Sequence, residues 1–203
     1  MRNDIILQKI NENDIVSGVF YCQHLLDASD IESTLDSFKV KIDTGYGLEQ
    51  YLKNNAIYDE VNKCARTYLV KDCKTDEIVG YFSLRTGMVS MNERRINLTI
   101  NFDTYPAIEL SNFAINNHYK EKHPSVKHLG EIIFKNFVFP LIQELSEYTG
   151  INLIMIYALP YSHLISFYET LGFSRLPKKS ERRMHRRMKP SYDRGCIFMF
   201  QKI

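Results

Sequence analysis

Polar side chains interrupt an apolar stretch near the middle of the chain, where residues 106–116 read PAIELSNFAIN. Glu109, Ser111 and Asn112 are unusual residues for a buried strand, since buried polar groups need partners. Alternation with a period of two puts Glu109, Ser111 and Phe113 on one face of the strand. This face can present a carboxylate to a substrate, so the pattern predicts a functional site. The alternative is a structural ion pair between Glu109 and a Lys or Arg residue.

A second group with chemical interest is the basic run KKSERRMHRRMK, from Lys178 to Lys189. It has seven Lys or Arg residues against one Glu. Such a run can neutralise the phosphates of an RNA or attract an acidic peptide. The alternative is a solvated loop, which is common for charge runs. Because the whole chain has a net charge of only +2, this run would have to supply most of the attraction for a polyanion.

The composition, with 44% hydrophobic and 25% charged residues over 203 positions, is typical of a globular protein with one core. No repeat or linker marks a boundary, so we predict a single domain over residues 1–203. The four cysteines have neither CxxC nor metal-ligand spacing, which predicts no metal site and no disulfide framework. The chain shows no signal peptide and no membrane span, so we expect a cytoplasmic protein without membrane contact.

Apolar spacing and turn residues predict the elements that position these groups. They are, in chain order, a strand 5–10, a helix 16–26, a helix 47–61, a hairpin 65–72 with 77–85, a strand 106–116, a helix 129–148, a strand 151–159, a helix 162–171 and strands 173–176 and 196–203. Asn13 and Asp14 are expected to cap the first helix, Gly150 to take the C′ position of the long one and Gly172 to close the short one. This order predicts an α/β fold with a mixed, mostly antiparallel central sheet and helices on both faces.

The element order, together with FYETLGF at Phe167–Phe173, resembles the GNAT superfamily of N-acetyltransferases, whose last motif commonly reads F-Y-x-x-x-G-F. The strand ELSNFAI strengthens the resemblance, since GNAT enzymes splay the matching strand from the next one and bind the pantetheine arm of acetyl-CoA along it. The resemblance implies that Phe113, Ala114 and Ile115 bind acetyl-CoA and that the N–H of Phe113 or Ile115 stabilises the oxyanion. It also implies transfer of an acetyl group to a primary amine by direct attack.

The family binds the cofactor pyrophosphate at a Q/R-x-x-G-x-G/A loop that opens the long helix. The corresponding residues here are Ser125, Val126, Lys127, His128, Leu129 and Gly130, and only the final glycine matches. His128 replaces the first glycine, so it either narrows the phosphate cradle or points outward while Lys127 and His128 supply positive charge. The alternative hypothesis is a catalytically silent GNAT-fold scaffold that binds no cofactor.

The resemblance implies catalytic roles for two residues. Tyr168 takes the family's usual general-acid position, where a phenol can protonate or hydrogen-bond the leaving thiolate, and the alternative is a tyrosine that only packs. Glu109 aligns with the glutamate that opens this strand in histone-acetylating members, which makes it the candidate base. Ser162 lies where many relatives have a cofactor-binding asparagine, and we predict that it is an ordinary helix N-cap.

A narrower resemblance, mainly over residues 44–90, links the chain to GNAT toxins that acetylate aminoacyl-tRNA. Their L-D-x-F-L-x-x-x-A pattern is filled by Leu48, Glu49, Tyr51, Leu52 and Ala56, and two of their strands match RTYLV and GYFSL. The toxins usually have R-L-A-V at 112–115, an apolar residue in place of Glu109 and an intact G-x-G loop. The acceptor therefore stays open between a small amine and a macromolecule such as tRNA. An antitoxin is a candidate partner, and a homodimer stays open too.

Overall fold

The computed structural model describes residues 20–29, 31–96, 99–187 and 195–203. The predicted strand at 5–10 and the predicted cap at Asn13 and Asp14 lie outside them. The described residues form two compact units: the first runs up to Arg85 and includes Asn112–Leu141, and the second comprises Thr86–Ser111 and Ile142–Ile203. That the chain is one domain stays a prediction. Within the described part, no helix is long and apolar enough to cross a membrane.

Seven strands form one sheet in the order β1-β2-β3-β4-β5-β7-β6. Their bounds are Phe20–His24 (β1), Arg66–Asp72 (β2), Ile78–Ile96 (β3), Thr99–Ile115 (β4), Leu153–Ala158 (β5), Ser174–Arg175 (β6) and Ile197–Lys202 (β7). The pairs β1–β2, β2–β3, β5–β7 and β6–β7 are antiparallel, whereas β4 and β5 run parallel. The predicted α/β fold with a mixed, mostly antiparallel sheet is thus confirmed.

Helices connect most of these strands. Their bounds are Ile31–Asp36 (α1), Ile42–Gln50 (α2), Ala56–Val61 (α3), Asn117–Lys122 (α4), Leu129–Ile133 (α5), Phe139–Tyr148 (α6), Ser162–Thr170 (α7) and Lys178–Arg187 (α8). A π-helical turn at Tyr51–Asn55 joins α2 to α3, and a second one at Phe134–Val138 joins α5 to α6. The predicted helices at 47–61 and 129–148 are therefore present, each widened by one π-helical turn.

The sequence predictions were wrong for one helix and for the residue that ends another. Residues 16–26 were expected to be helical, yet Phe20–His24 is strand β1, paired with β2 from Phe20 opposite Asp72 to His24 opposite Tyr68. Buried and half-buried residues alternate along β1, so its period of two prevails over the helical spacing. Gly150 does not take the left-handed conformation expected of a C′ glycine. Among the described glycines only Gly172 has a positive φ, of 95°.

The core of the first unit explains the helix that runs from α2 to α3. Leu48, Leu52 and Ala56 recur every four residues and so share one helix face. Leu52 and Ala56 are fully buried, and Leu48 packs against the same cluster. Its other buried members are Leu25, Ala28, Leu35, Phe38, Leu69, Ile78, Tyr81 and Ala114. Because Ala114 belongs to this cluster, the carboxyl end of β4 is anchored in the core of the first unit.

The core of the second unit lies on β3, β4, β5 and β7. Its buried members are Val89, Ala107, Leu153, Met155, Leu176 and Phe198. Leu153 to Ile156 are all buried, which agrees with the position of β5 between β4 and β7 in the sheet. This packing fixes the part of β4 that carries Glu109, since Glu109 lies opposite Met155 in the parallel pair.

Candidate functional site

The pairing of β4 with β5 ends early. The register runs from Ala107 opposite Leu153 to Glu109 opposite Met155 and stops, although β4 continues to Ile115 and β5 to Ala158. On its other side, β5 stays paired with β7 over its whole length. Two neighbouring parallel strands that stop pairing part of the way along are the arrangement that the GNAT resemblance implies for a pantetheine-binding strand.

The end of β4 that carries Phe113, Ala114 and Ile115 lies in the first unit. Ala114 is buried, whereas Phe113 and Ile115 are half-buried, as the alternation of a strand requires. Gly80 on β3 allows the backbone of β4 to lie close to β3. A Cβ at residue 80 would lie 2.8 Å from the Ala114 carbonyl oxygen and 2.9 Å from Ile133 Cδ1. The backbone of this strand end is thus held against β3 at a distance that only glycine permits.

Asn116 fixes the position at which β4 ends. Its side-chain Oδ1 accepts hydrogen bonds from the N–H groups of Lys39 and His118, each at 3.1 Å. Its Nδ2 donates to the Ile78 carbonyl oxygen at 2.8 Å, and its backbone N–H donates to the Val79 carbonyl oxygen at 2.8 Å. Asn116 is buried and also caps α4. One side chain therefore ties the end of β4 to β3, to the loop before α2 and to the start of α4.

The loop Ser125–Gly130 opens the long helix, as predicted. His128 adopts the left-handed conformation, with φ 57° and ψ 29°, and its side chain is 78% exposed. The imidazole Nδ1 lies 3.8 Å from Oε2 of Glu131 in the first turn of α5, so the exposed histidine lies beside the helix start, and its effect on the phosphate cradle stays a prediction. Lys127 is also exposed. The family has glycine at this position, and glycine adopts the left-handed backbone conformation without strain. A histidine adopts the same conformation at some cost in free energy.

The remaining residues of this loop differ in exposure. Ser125 is exposed, Val126 and Gly130 are half-buried, and Leu129 is buried. Glu131 lies in the first turn of α5 and accepts a hydrogen bond from Lys135 at 2.7 Å. This hydrogen bond and the charge of Lys135 hold the pKa of the Glu131 carboxyl below its ordinary value. The first turn thus carries an acidic group that stays ionised, partly neutralised by Lys135.

Glu109 lies in the second unit and is buried, with 4% exposure. It borders Gly87 on β3, since a Cβ at residue 87 would lie 3.5 Å from Glu109 Cβ and 2.5 Å from Met155 Cε. Ser111, on the same face of β4, is half-buried, whereas the following residue Asn112 is buried. The predicted face therefore exists, and its carboxylate lies deeper than its serine.

Tyr168 is on α7, in the second unit, and is 7% exposed. Its ring makes edge-on contacts with Phe167, at 5.2 Å between ring centroids, and with Phe173, at 5.6 Å. The left-handed Gly172 turns the chain so that the Phe173 N–H donates to the Tyr168 carbonyl oxygen at 3.0 Å. Burial raises the pKa of Tyr168 above its ordinary value, so the phenol stays protonated near neutral pH.

Ser162 is not the N-cap that we predicted. It is the first residue of α7, and the capping position belongs to Tyr161, whose side chain makes no capping hydrogen bond. The helix starts at Ser162, as in the predicted bounds, so the residue that precedes it is Tyr161. The serine therefore has no capping role to explain its presence.

The toxin-like pattern proves to be structural in this chain. Leu52 and Ala56 are core residues, and Tyr51 donates a hydrogen bond to Asp59 at 3.0 Å. Glu49 accepts hydrogen bonds from Lys39 Nζ and Lys53 Nζ, both at 3.0 Å, and from the Val40 N–H at 3.2 Å. Glu49 thus anchors the same loop that Asn116 holds from its other side.

Sequence reasoning missed Asn116 and the anchoring role of Glu49. For Asn116 a signal existed, since an Asn between a strand and a helix is a frequent N-cap. For Glu49 the local signal was its i,i+4 spacing to Lys53, but no signal indicated its bonds to Lys39 and Val40 in the loop before α2. No group of three His, Cys, Asp or Glu side chains among the described residues could hold a metal ion.

The basic run is helical over Lys178–Arg187 and so is not a loop there, whereas the alternative of a charge run that is only solvated stays a prediction; Met188 and Lys189 lie outside the described residues. It connects β6 with β7, as expected. The helix starts after Pro177, whose carbonyl oxygen accepts hydrogen bonds from the N–H groups of Ser180 and Glu181. A proline just before the first helical turn favours this start.

No family model matches the sequence. Solved toxin structures share the fold. The AtaTR complex bound with acetyl-CoA has a TM-score of 0.58 at 19% identity, over 91% of this chain and 94% of that one. AtaT complexed with acetyl-methionyl-tRNAfMet has a TM-score of 0.59 at 16% identity, over 88% and 93%. A KacT mutant has a TM-score of 0.63 at 17% identity, over 91% and 95%. The chain therefore shares the fold of these structures, which is the GNAT fold.

Proposed function

We propose that this protein is an acetyl-CoA-dependent N-acetyltransferase that acetylates the amino group of an aminoacyl-tRNA. The observation that carries the proposal is the fold shared over about nine-tenths of the chain with AtaT, which has been solved with acetyl-CoA and with an acetylated methionyl-tRNA. The early end of the β4–β5 pairing after Glu109 supports it. A GNAT-fold scaffold without activity is the alternative, favoured by the incomplete phosphate-binding loop.

Two segments of the first unit are the candidates for holding acetyl-CoA. The backbone of Phe113, Ala114 and Ile115 would bind the pantetheine arm, and the N–H groups of Ser125–Gly130 would receive the pyrophosphate. The exposure of His128 supports the second role, because its side chain is not packed into the protein. Lys127 and His128 are exposed and can add positive charge when a phosphate is bound.

The transfer needs no covalent enzyme intermediate. The neutral amine attacks the thioester carbonyl carbon, a C–N bond forms, and the C–S bond breaks after a tetrahedral oxyanion. The amine loses one proton and the thiolate of CoA gains one, so the products are an amide and a free thiol. Since an α-amino group has an ordinary pKa of about 7.7 to 8.0, part of it is already neutral near pH 7.5. A strong base is therefore not required, and Glu109 would accept the excess proton, directly or through water.

Tyr168 would act on the leaving group as a hydrogen-bond donor. A thiol has an ordinary pKa of about 8.5, whereas burial raises the pKa of Tyr168 above the usual value of about 10. Complete proton transfer from this phenol to a thiolate is consequently uphill. A protonated phenol that stabilises the thiolate as charge develops fits the burial of Tyr168 better than a freely ionising acid does.

Replacing Tyr168 by Phe tests this role. We expect Tyr168→Phe to lower the kcat for CoA release by about 100-fold while the KM for acetyl-CoA changes little, because the ring packing is kept and only the donor is lost. Tyr148→Phe, at an exposed tyrosine on α6, is the matched control and should keep the wild-type rate. A Tyr168→Phe enzyme with the wild-type kcat would remove the phenol from the mechanism.

Binding of acetyl-CoA separates the enzyme from the scaffold. A ligand at 100 times its Kd stabilises a protein by about 2.7 kcal/mol, which a thermal melt detects. We expect such a rise in Tm with acetyl-CoA, followed by formation of N-acetyl-aminoacyl-tRNA detected by mass spectrometry of the released amino acid. No shift at millimolar acetyl-CoA would favour the scaffold. A shift without tRNA acetylation, but with acetylation of a small amine, would keep the enzyme and exclude the proposed acceptor.

A further inference from the structure

We propose that the exposed cations of α8 form a docking surface for the phosphate backbone of RNA; the proposal rests on the proposed function, in which the acceptor is a tRNA. We define the α8 surface by its described exposed cations Lys178, Lys179 and Arg182. The helix connects β6 with β7 and packs against β7. The surface therefore belongs to a regular element attached to the sheet of the second unit.

The charge of the chain is concentrated on this helix. Lys178–Arg187 has six basic residues and one acid, a net charge of +5, whereas the whole chain has a net charge of +2. The remaining residues thus carry a net charge of −3. At physiological salt, charges farther apart than about 8 Å are largely screened, so the local cluster decides the attraction. The α8 helix therefore offers a polyanion a concentrated positive charge.

The one acidic residue of α8, Glu181, does not reduce the positive charge that the α8 surface presents to solvent. Glu181 is buried, with 9% exposure, and its two carboxylate oxygens lie 2.9 and 3.3 Å from Nη2 of Arg175 on β6. The carboxylate is thus turned away from solvent and neutralised by a cation outside the helix.

The composition of α8 favours RNA over a lipid surface. An interfacial helix needs an apolar face, yet Met184 is the one apolar residue among the ten. The helix is about 15 Å long at 1.5 Å per residue, a length over which one strand of a duplex presents about four phosphates. Several cations at this spacing match a phosphate backbone without reading its bases. Docking is therefore expected to be independent of sequence and strongly dependent on salt.

Salt-dependent binding of labelled tRNA tests the surface. In the triple variant Lys178→Gln, Lys179→Gln and Arg182→Gln we expect the slope of log Kd against log salt to fall by about 2 to 3, and the affinity at 100 mM salt to fall by about tenfold or more. The matched control removes three exposed lysines elsewhere, Lys63→Gln, Lys74→Gln and Lys120→Gln, with the same change in net charge. We expect the control to keep the wild-type slope.

Three outcomes would overturn the proposal: an unchanged slope in the triple variant, no tRNA binding by the wild type at 50 mM salt, or an equal loss in the control. Binding of the wild type to vesicles with anionic lipid but not to tRNA would overturn it in favour of a membrane. CoA release with a small amine is measured on the same variants. If the triple variant keeps that rate and loses tRNA binding, the docking surface is supported. If acetyl transfer is absent from the wild type, the proposed function fails while the binding result still decides the role of α8.

Discussion

The carboxyl end of β4 and the helix α7 hold their candidate site residues by different means. In the first unit, Asn116 makes hydrogen bonds to four backbone groups and thereby sets where β4 ends. In the second unit, Tyr168 is held between the rings of Phe167 and Phe173. Hydrogen bonds depend on single atoms, whereas apolar packing depends on volume and shape. Substitutions that keep the side-chain shape should therefore leave the free energy of unfolding nearly unchanged at Tyr168 and lower it at Asn116.

The largest effect is expected at Glu60, a buried carboxylate of the first unit. Its side chain is fully buried and accepts hydrogen bonds from His24 at 3.1 Å, from Arg66 at 2.7 Å and from the Thr67 N–H. Glu60→Ala should lower the free energy of unfolding by about 3 to 5 kcal/mol, because these donors lose their acceptor. Urea denaturation measures it. The exposed Glu169→Ala in the second unit is the control, with a change within about 0.5 kcal/mol.

The pH dependence of the stability of Glu60→Ala tests whether the charge of Glu60 is responsible for this loss. Burial disfavours the charge of Glu60, but the hydrogen bonds from His24, the Thr67 N–H and Arg66 prevail and hold the pKa of Glu60 below its ordinary value. A lowered pKa in the folded state contributes stability above the unfolded value of about 4.3, and this contribution is lost as the pH falls through the folded pKa. The difference in stability between wild type and Glu60→Ala should therefore begin to shrink as the pH falls below about 4.3. Parallel curves down to pH 3 would contradict the role of the charge.

A smaller loss of stability is expected at Asn116, together with a rise in the KM for acetyl-CoA that Tyr168→Phe does not show. Asn116→Ala leaves the N–H groups of Lys39 and His118 and the Ile78 carbonyl oxygen without their partner, which should cost about 2 to 4 kcal/mol. Because the end of β4 is the proposed acetyl-CoA strand, the KM for acetyl-CoA should rise while kcat changes less.

Asn116→Asp provides the matched comparison for that variant. It keeps an oxygen that accepts from Lys39 and His118, but its second oxygen faces the Ile78 carbonyl oxygen, so that two acceptors meet in a buried site. At neutral pH we expect a loss of stability at least as large as in Asn116→Ala, and a raised KM. If Asn116→Ala loses stability and keeps the wild-type KM at a temperature where it is folded, Asn116 is structural and does not position the cofactor strand.

The smallest effect compares two glycines of β3, one in each unit. At Gly80 a new Cβ would meet the Ala114 carbonyl oxygen, a backbone atom that cannot move aside, whereas at Gly87 it would meet the end of the flexible Met155 side chain. Gly80→Ala should cost about 1 to 3 kcal/mol and weaken acetyl-CoA binding, and Gly87→Ala should cost less than about 1 kcal/mol. Thermal melts with and without acetyl-CoA measure both. Equal costs at the two positions would contradict the difference between the two surroundings.

Much of the fold was predictable because its signals are local. The hairpin of β2 and β3, the strand β4, the long helix and the motif FYETLGF all showed in periodicity, turn residues or short motifs. The local signal failed where pairing with a distant strand decided the outcome. Phe20 and Gln23 are spaced as on one face of a helix, yet pairing with Arg66–Asp72 makes Phe20–His24 a strand.

The sequence by itself determined the order of the strands from β2 to β7 and the positions of Glu109, Tyr168 and the basic run. Only the tertiary structure decided how these positions are supported. Asn116 bonds Lys39 across 77 positions of the chain and Ile78 across 38, and Glu181 meets Arg175 only when α8 packs beside β6 and β7. Side-chain hydrogen bonds have no sequence period, since a partner is set by distance in the folded state and not by spacing along the chain. The residues that hold the site in place therefore became visible only in the folded protein.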